Sequence, residues 1–211
     1  MNFLKILVVF VCGAFAINVA ADESALKSFI NKLDSLNAMQ AQFVQTTRDQ
    51  HNNALQELTG TLLVAKPGKM RWQTEPPYSQ LVVSDNQSVW FYDEDLEQVT
   101  IRDMEQRIQE TPALLLSGNT DEIKQNFDIT YQSNGQFSRY SLAPKDSSQL
   151  FEKIEFQYYD NTLESMRIYD ATGQVTEIVF TEIDLAPQIN ESTFQFKAPN
   201  GVDVIDARNA H

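Results

Sequence analysis

From residue 59 onward the chain is built of short β-branched and aromatic runs, each ended by a polar turn. "GTLLVA" stops at Lys66-Pro67-Gly68, "KMRWQT" stops at Pro76-Pro77, and "SQLVVS" passes through Asp85-Asn86-Gln87 into "SVWFYD". Proline fixes φ and glycine or Asx residues admit turn conformations, so these boundaries predict strands joined by tight turns. "LEQVTIRD", "FDITYQ", "FSRYSLAP", "FEKIEFQYYD", "LESMRIYD", "QVTEIVFTEIDL" and, last, "TFQFKAP" read as further strands. Short turns join antiparallel neighbours. No strand–helix–strand alternation is present, so the pattern predicts an antiparallel meander and no parallel sheet.

The faces of these strands limit the fold further. Ile154, Phe156 and Tyr158 share one face of their strand, and Ile178 and Phe180 share one of theirs. "LVV" and "VWFY" are apolar on both faces, so the sheet needs two covers or must curl around an interior. Few helical segments are available as covers. Leu26, Phe29, Ile30, Leu33 and Leu36 recur at three- and four-residue spacing and predict one amphipathic helix near the start. In "ETPALLLSGNTDEIKQ", Thr111 suits a helix cap, Pro112 the first helical position and Gly118 a C-terminal cap. Asn119 or Thr120 can then open a second short helix at Asp121-Glu122. Two stubby helices cannot cover a large sheet. Leu114, Leu115 and Leu116 are therefore either a movable lid over an apolar hollow or a fixed plug filling the sheet's core.

Residues 1–21 carry a single charge, Lys5, with an apolar stretch at 6–15 and small residues before Asp22. This predicts a secretory leader cleaved after Ala21, leaving one domain over residues 22–211. Cys12, the only cysteine, follows Val11 rather than a small residue and reads as part of the leader. The remaining chain must therefore fold without a disulfide. Removing Lys5 takes the formal charge from −13 to −14, which argues against nucleic acid and anionic lipid surfaces as partners. The two histidines, His51 in a polar turn and His211 at the end, cannot assemble a histidine-based triad or metal cluster. No Gly-x-Ser-x-Gly elbow, phosphate loop or cysteine nucleophile is present, and no cofactor is expected. Asp93-Glu94-Asp95 falls where a hairpin turn is predicted and reads as a solvated acidic turn. A glycosidase-like carboxylate pair is the only enzyme reading left. What recurs is apolar and aromatic strand surface: Met70, Trp72, Trp90, Phe91, Tyr92, Phe156, Tyr158 and Phe180. Together these features favour a half-barrel with a ligand-accepting interior.

The chain also resembles the periplasmic outer-membrane lipoprotein carrier family (LolA) of Gram-negative bacteria. The resemblance lies in "LDSLNAMQAQFVQT", "GTLLVAKPGKMRW", "LVVSDNQSVWFYDEDLEQVT", "TPALLLSGN" and "FQFKAPNGVDVID", and spans nearly all of residues 22–205. It implies a mainly β fold with some α: a strongly curved antiparallel sheet, an incomplete barrel whose hydrophobic concave face is covered by a helical lid. It implies a periplasmic, non-enzymatic, monomeric chaperone for lipoproteins. The cargo is their acylated N-termini, received from an inner-membrane ABC transporter and passed to an outer-membrane lipoprotein receptor. The lipid-binding and lid residues it implies are Leu33, Met70, Trp72, Trp90, Phe91, Leu114, Leu115, Leu116, Ile123, Phe156 and Phe180. The family often tethers its lid with an arginine just before the turn proline. Lys66 stands there, so Lys66 or Arg71 is expected to hold the lid. A lipid- or lipoprotein-sensing protein of the same fold is the alternative function.

Overall fold

The computed structural model describes residues 18–20, 22–104, 112–117, 120–146 and 150–208. Thr111, Gly118, Asn119, His211 and most of the expected leader lie outside the described residues. The strands run β1 (Asn18–Ala20), β2 (Ala38–Arg48), β3 (Ala54–Ala65), β4 (Lys69–Thr74), β5 (Gln80–Asp85), β6 (Ser88–Asp93), β7 (Gln98–Asp103), β8 (Phe127–Asn134), β9 (Phe137–Pro144), β10 (Phe151–Tyr159), β11 (Thr162–Asp170), β12 (Val175–Asp184) and β13 (Asp203–Asp206). They form one sheet in the order β1-β8-β9-β10-β11-β12-β2-β3-β4-β5-β6-β7-β13. Its two ends, β1 and β13, do not meet, so the sheet is an incomplete barrel. Asn18–Ala20, part of the expected leader, pair antiparallel with β8.

This order contains one long jump. From β2 the chain meanders outward to β7, then restarts at the far side with β8 and works back until β12 pairs with β2. The connection from β7 to β8 must therefore cross the sheet. That crossing segment holds a six-residue 3₁₀ turn, Pro112–Ser117, and the helix α2 (Thr120–Asn126). The short segment rich in leucine is thus a topological necessity as well as a cover.

The sheet curls. At roughly 4.8 Å per strand, thirteen flat strands would span about 60 Å. Yet Val89 on β6 and Phe127 on β8, nine places apart in the sheet, belong to one contiguous buried cluster. The cluster holds Phe43, Leu62, Met70, Trp72, Ile129, Ile154, Phe156, Met166, Ile178 and Phe180 from one face of the sheet, with Phe29 and Leu33 from α1 (Asp22–Ser35) above them. Phe29 lies 5.1 Å, ring to ring, from both Tyr140 and Phe156, and Ser28 shares a 2.7 Å hydrogen bond with the Tyr140 hydroxyl. These contacts dock the apolar stripe of α1 on β9 and β10.

Two strand expectations need correction. "TFQFKAP" is not a strand. Asn190 accepts the Ser192 backbone N–H and opens a single 3₁₀ turn, Glu191–Phe194, which packs on the outside of β4 and β5. The last strand is β13, and it pairs parallel to β7, where an antiparallel meander was expected. The physical reason is the two-faced apolar character of "VWFY". Val89 and Phe91 face the concave core, while Trp90 and Tyr92 point outward and meet Phe196 at 6.3 and 6.0 Å. Residues 185–202 are used to cover that outer patch, and the returning chain reaches the β7 edge already running parallel to it.

On the convex face, Glu155 is nearly buried and accepts from Lys153 Nζ at 2.9 Å and the Tyr169 hydroxyl at 2.9 Å. Burial pushes its carboxyl up, but the hydrogen bonds from Lys153 and Tyr169 and the charges of Lys153 and Arg139 outweigh this and hold it below the ordinary glutamate value. A carboxyl depressed in the folded state stabilises the fold above its unfolded-state value, and loses that contribution as pH falls through the folded value. We expect Glu155→Gln to cost about 1–2 kcal/mol at pH 7. The gap between the two proteins should close in urea titrations below about pH 4. A gap independent of pH would contradict this assignment.

Candidate functional site

The concave face is covered in two places. Along β8 lies α1, with Phe29 reaching across to Tyr140 on β9 and Phe156 on β10. Over β3 and β4 lies the leucine turn, with Leu114, Leu115 and Leu116 at 0%, 0% and 1% exposure. The turn is held by few bonds among the described residues. Ser117 Oγ donates to the Leu114 carbonyl at 2.7 Å within the turn, and the Gly68 N–H donates to the Ser117 carbonyl at 3.1 Å. The second bond is a backbone tether between this cover and the turn joining β3 to β4.

Gly68 is needed there. It sits at φ +64°, and a Cβ would stand 1.9 Å from the Asn86 side-chain oxygen. Ser84 Oγ donates to its carbonyl at 2.7 Å from below. Two residues earlier, the Lys66 ammonium donates to the Leu33 carbonyl at 2.5 Å and lies 3.3 Å from the Asp34 carboxylate. The Leu33 carbonyl lies in the last turn of α1, where it also accepts from the Leu36 N–H at 2.9 Å and where a cation is favoured. The Lys66-Pro67-Gly68 turn therefore holds both covers, α1 by a side chain and the leucine turn by a backbone amide.

Most of the implied site residues come together. Leu33, Met70, Trp72, Leu114, Leu115, Leu116, Ile123, Phe156 and Phe180 share the concave cluster, and Phe91 packs against it. Trp90 does not, because strand alternation places it opposite Phe91 on the convex side. Arg71 faces the same outer side: it pairs across from Val83, alternates with Met70 and Trp72, and donates to Gln73 at 3.4 Å. Lys66 does hold a cover, but among the described residues its bonds go to α1 and not to the leucine turn. The backbone tether from Gly68 was not anticipated; the glycine in "KPGK" is its sequence signal. Phe43, also missed, stacks on Trp72 at 3.9 Å in the same concave cluster as the leucines.

Replacing Lys66 by methionine keeps the stem and removes the donor. We expect it to destabilise the fold by about 1–2 kcal/mol through the exposed end of α1. That corresponds to a fall in Tm of about 2–8 °C by calorimetry. An unchanged Tm would show that the bond carries no net energy.

An incomplete barrel whose apolar concave face is capped by helical segments defines a class of β-walled proteins built around a covered interior. The sequence profile of the outer membrane lipoprotein carrier protein LolA matches residues 34–197. An outer-membrane lipoprotein carrier protein of Azotobacter vinelandii is 39% identical over 193 residues, covering 91% of this chain and 93% of its own. One from Hahella chejuensis is 37% identical, covering 97% and 98%. The chain belongs to the LolA family. Among solved structures, an uncharacterized conserved protein from Thermus thermophilus superposes with a TM-score of 0.55 at 12% identity, over 85% of this chain and 98% of that one. That likeness concerns the fold alone.

Proposed function

We propose that the protein is a periplasmic lipoprotein carrier: it shelters the acyl chains of lipoproteins released from the inner membrane and delivers them to a receptor at the outer membrane. Residues 1–21 serve as the export leader, so β1 would leave with it. An ATP-driven inner-membrane transporter is the donor, and an outer-membrane lipoprotein receptor is the acceptor. The carrying observation is the burial of Leu114, Leu115 and Leu116 on the concave face, beside a backbone tether from Gly68.

Magnitudes favour this arrangement. A long acyl chain in water exposes surface worth roughly 12 kcal/mol at ~0.8 kcal/mol per CH₂. Three buried leucines recover about 5–9 kcal/mol at ~1.5–3 kcal/mol each. Exchanging the leucines for one such chain leaves a difference of about 3–7 kcal/mol, so that chain is held and can still be surrendered. An empty hollow would bind too tightly, and a fixed core would not bind at all. The family's carrier relatives support the same reading. The test is to purify the exported protein from periplasm and analyse co-isolated material by mass spectrometry. Triacylated N-termini in stoichiometric amount are expected; protein free of acylated peptides while lipoproteins are being exported would overturn the proposal.

A further inference from the structure

We propose that Arg102 anchors the polar head of the cargo, its guanidinium hydrogen-bonding the ester and amide carbonyls of the acylated N-terminus while the acyl chains run under the leucine turn. This rests on the carrier reading above. Arg102 pairs directly across from Val89, a fully buried member of the concave cluster, so its side chain belongs to the same face. Its guanidinium carbon lies 6.0 Å from the centre of the Phe91 ring. The aromatic face supports the planar cation and fixes its orientation. The residue is half-buried and stands on an apolar wall made by Val89, Phe91 and Val82.

Position gives this cation its use. The leucine turn sits on β3 and β4, and Arg102 is on β7, three strand spacings from β4. That separation is about 14 Å, shorter than an extended palmitoyl-length chain. A head held at Arg102 would therefore leave the tails under the leucines. A triacylated N-terminus has no ammonium group but several carbonyl acceptors. Those acceptors lose water as the chains enter, and leaving them unpaired would oppose loading. A guanidinium offers five donors in a fixed plane, enough to serve a protein acceptor and a ligand carbonyl together.

The test compares wild type, Arg102→Gln and Arg102→Lys as exported chains, with two probes: a synthetic triacylated lipopeptide and a hydrocarbon-tailed solvatochromic dye lacking carbonyls. Arg102→Gln should weaken lipopeptide binding roughly tenfold or more, and Arg102→Lys by less. Dye affinity should be unchanged in all three. In the wild type, the Arg102 Nε resonance should shift on adding lipopeptide and not on adding dye. Unchanged lipopeptide affinity in Arg102→Gln, or parallel loss of both probes, would overturn the proposal while leaving the carrier reading intact. A wild type that binds neither probe would overturn both.

Discussion

Leu115→Glu should abolish acyl-chain uptake while the sheet stays folded. Leu115 is fully buried among the residues of the concave cluster. Among the described residues that cluster is apolar, and burying an unpaired carboxylate in it costs several kcal/mol. The leucine turn then cannot close on an empty hollow, and it cannot close over acyl chains either, because the same carboxylate would face them. Loading needs the second closure. The expected result is native-like far-ultraviolet circular dichroism and no lipoprotein release when the purified variant is added to spheroplasts. Leu115→Met, which keeps volume and polarity, should release at wild-type levels. Normal release by Leu115→Glu would mean that the leucine turn does not contact the cargo.

Gly60→Ala should be the most damaging small substitution in the sheet. Gly60 lies on β3 between Phe43 on β2 and Thr74 on β4. A Cβ there would stand 2.1 Å from the Gln73 carbonyl oxygen and 2.5 Å from the Phe43 ring. The ring could turn aside, at the expense of its stack on Trp72. The carbonyl cannot, because it is backbone of the neighbouring strand. We expect a loss of about 3 kcal/mol or more and a Tm lower by about 6–12 °C. The double variant Phe43→Leu/Gly60→Ala should recover little of it, since the closer clash is with main chain. A melting point within about 1 °C of wild type would show that β3 and β4 can part without cost.

How far the sequence carried depends on the range of the interaction. Strand positions followed from local alternation and turn residues, and the ten runs from "GTLLVA" to "QVTEIVFTEIDL" each overlap one of the strands β3 to β12. The apolar stripe of α1 was legible because 3.6-residue spacing repeats within fourteen residues. Trp90 shows the limit. Its two-faced strand was evident, but which face looked inward depended on Phe196, more than a hundred residues later. "TFQFKAP" alternates like a strand, yet the β7 edge was taken by Asp203–Asp206. Nothing local to those seven residues records that competition. The pairing of β12 with β2, which makes the β7–β8 connection cross the sheet, is equally nonlocal.

The site divided in the same way. Three consecutive leucines and a basic-Pro-Gly turn stood out, and the family resemblance joined them. The atoms that join them were not visible. A lysine side chain was expected to reach the leucine turn. Instead it donates to the Leu33 carbonyl at the end of α1, and the amide of Gly68 reaches the turn. Backbone donors have no sequence signature of their own, and here only the need for a left-handed glycine marked the place.

Carriage of acyl chains requires that the leucine turn leave the concave face when they enter. The most direct measurement is amide hydrogen exchange at Gly68, whose N–H is bonded to the Ser117 carbonyl, in the empty protein and in one saturated with a triacylated lipopeptide. Slow exchange is expected when the protein is empty, and exchange roughly tenfold faster or more when it is loaded, with β9 and β10 unchanged. Undiminished protection at Gly68 with one lipopeptide bound per protein would contradict the displacement of the turn.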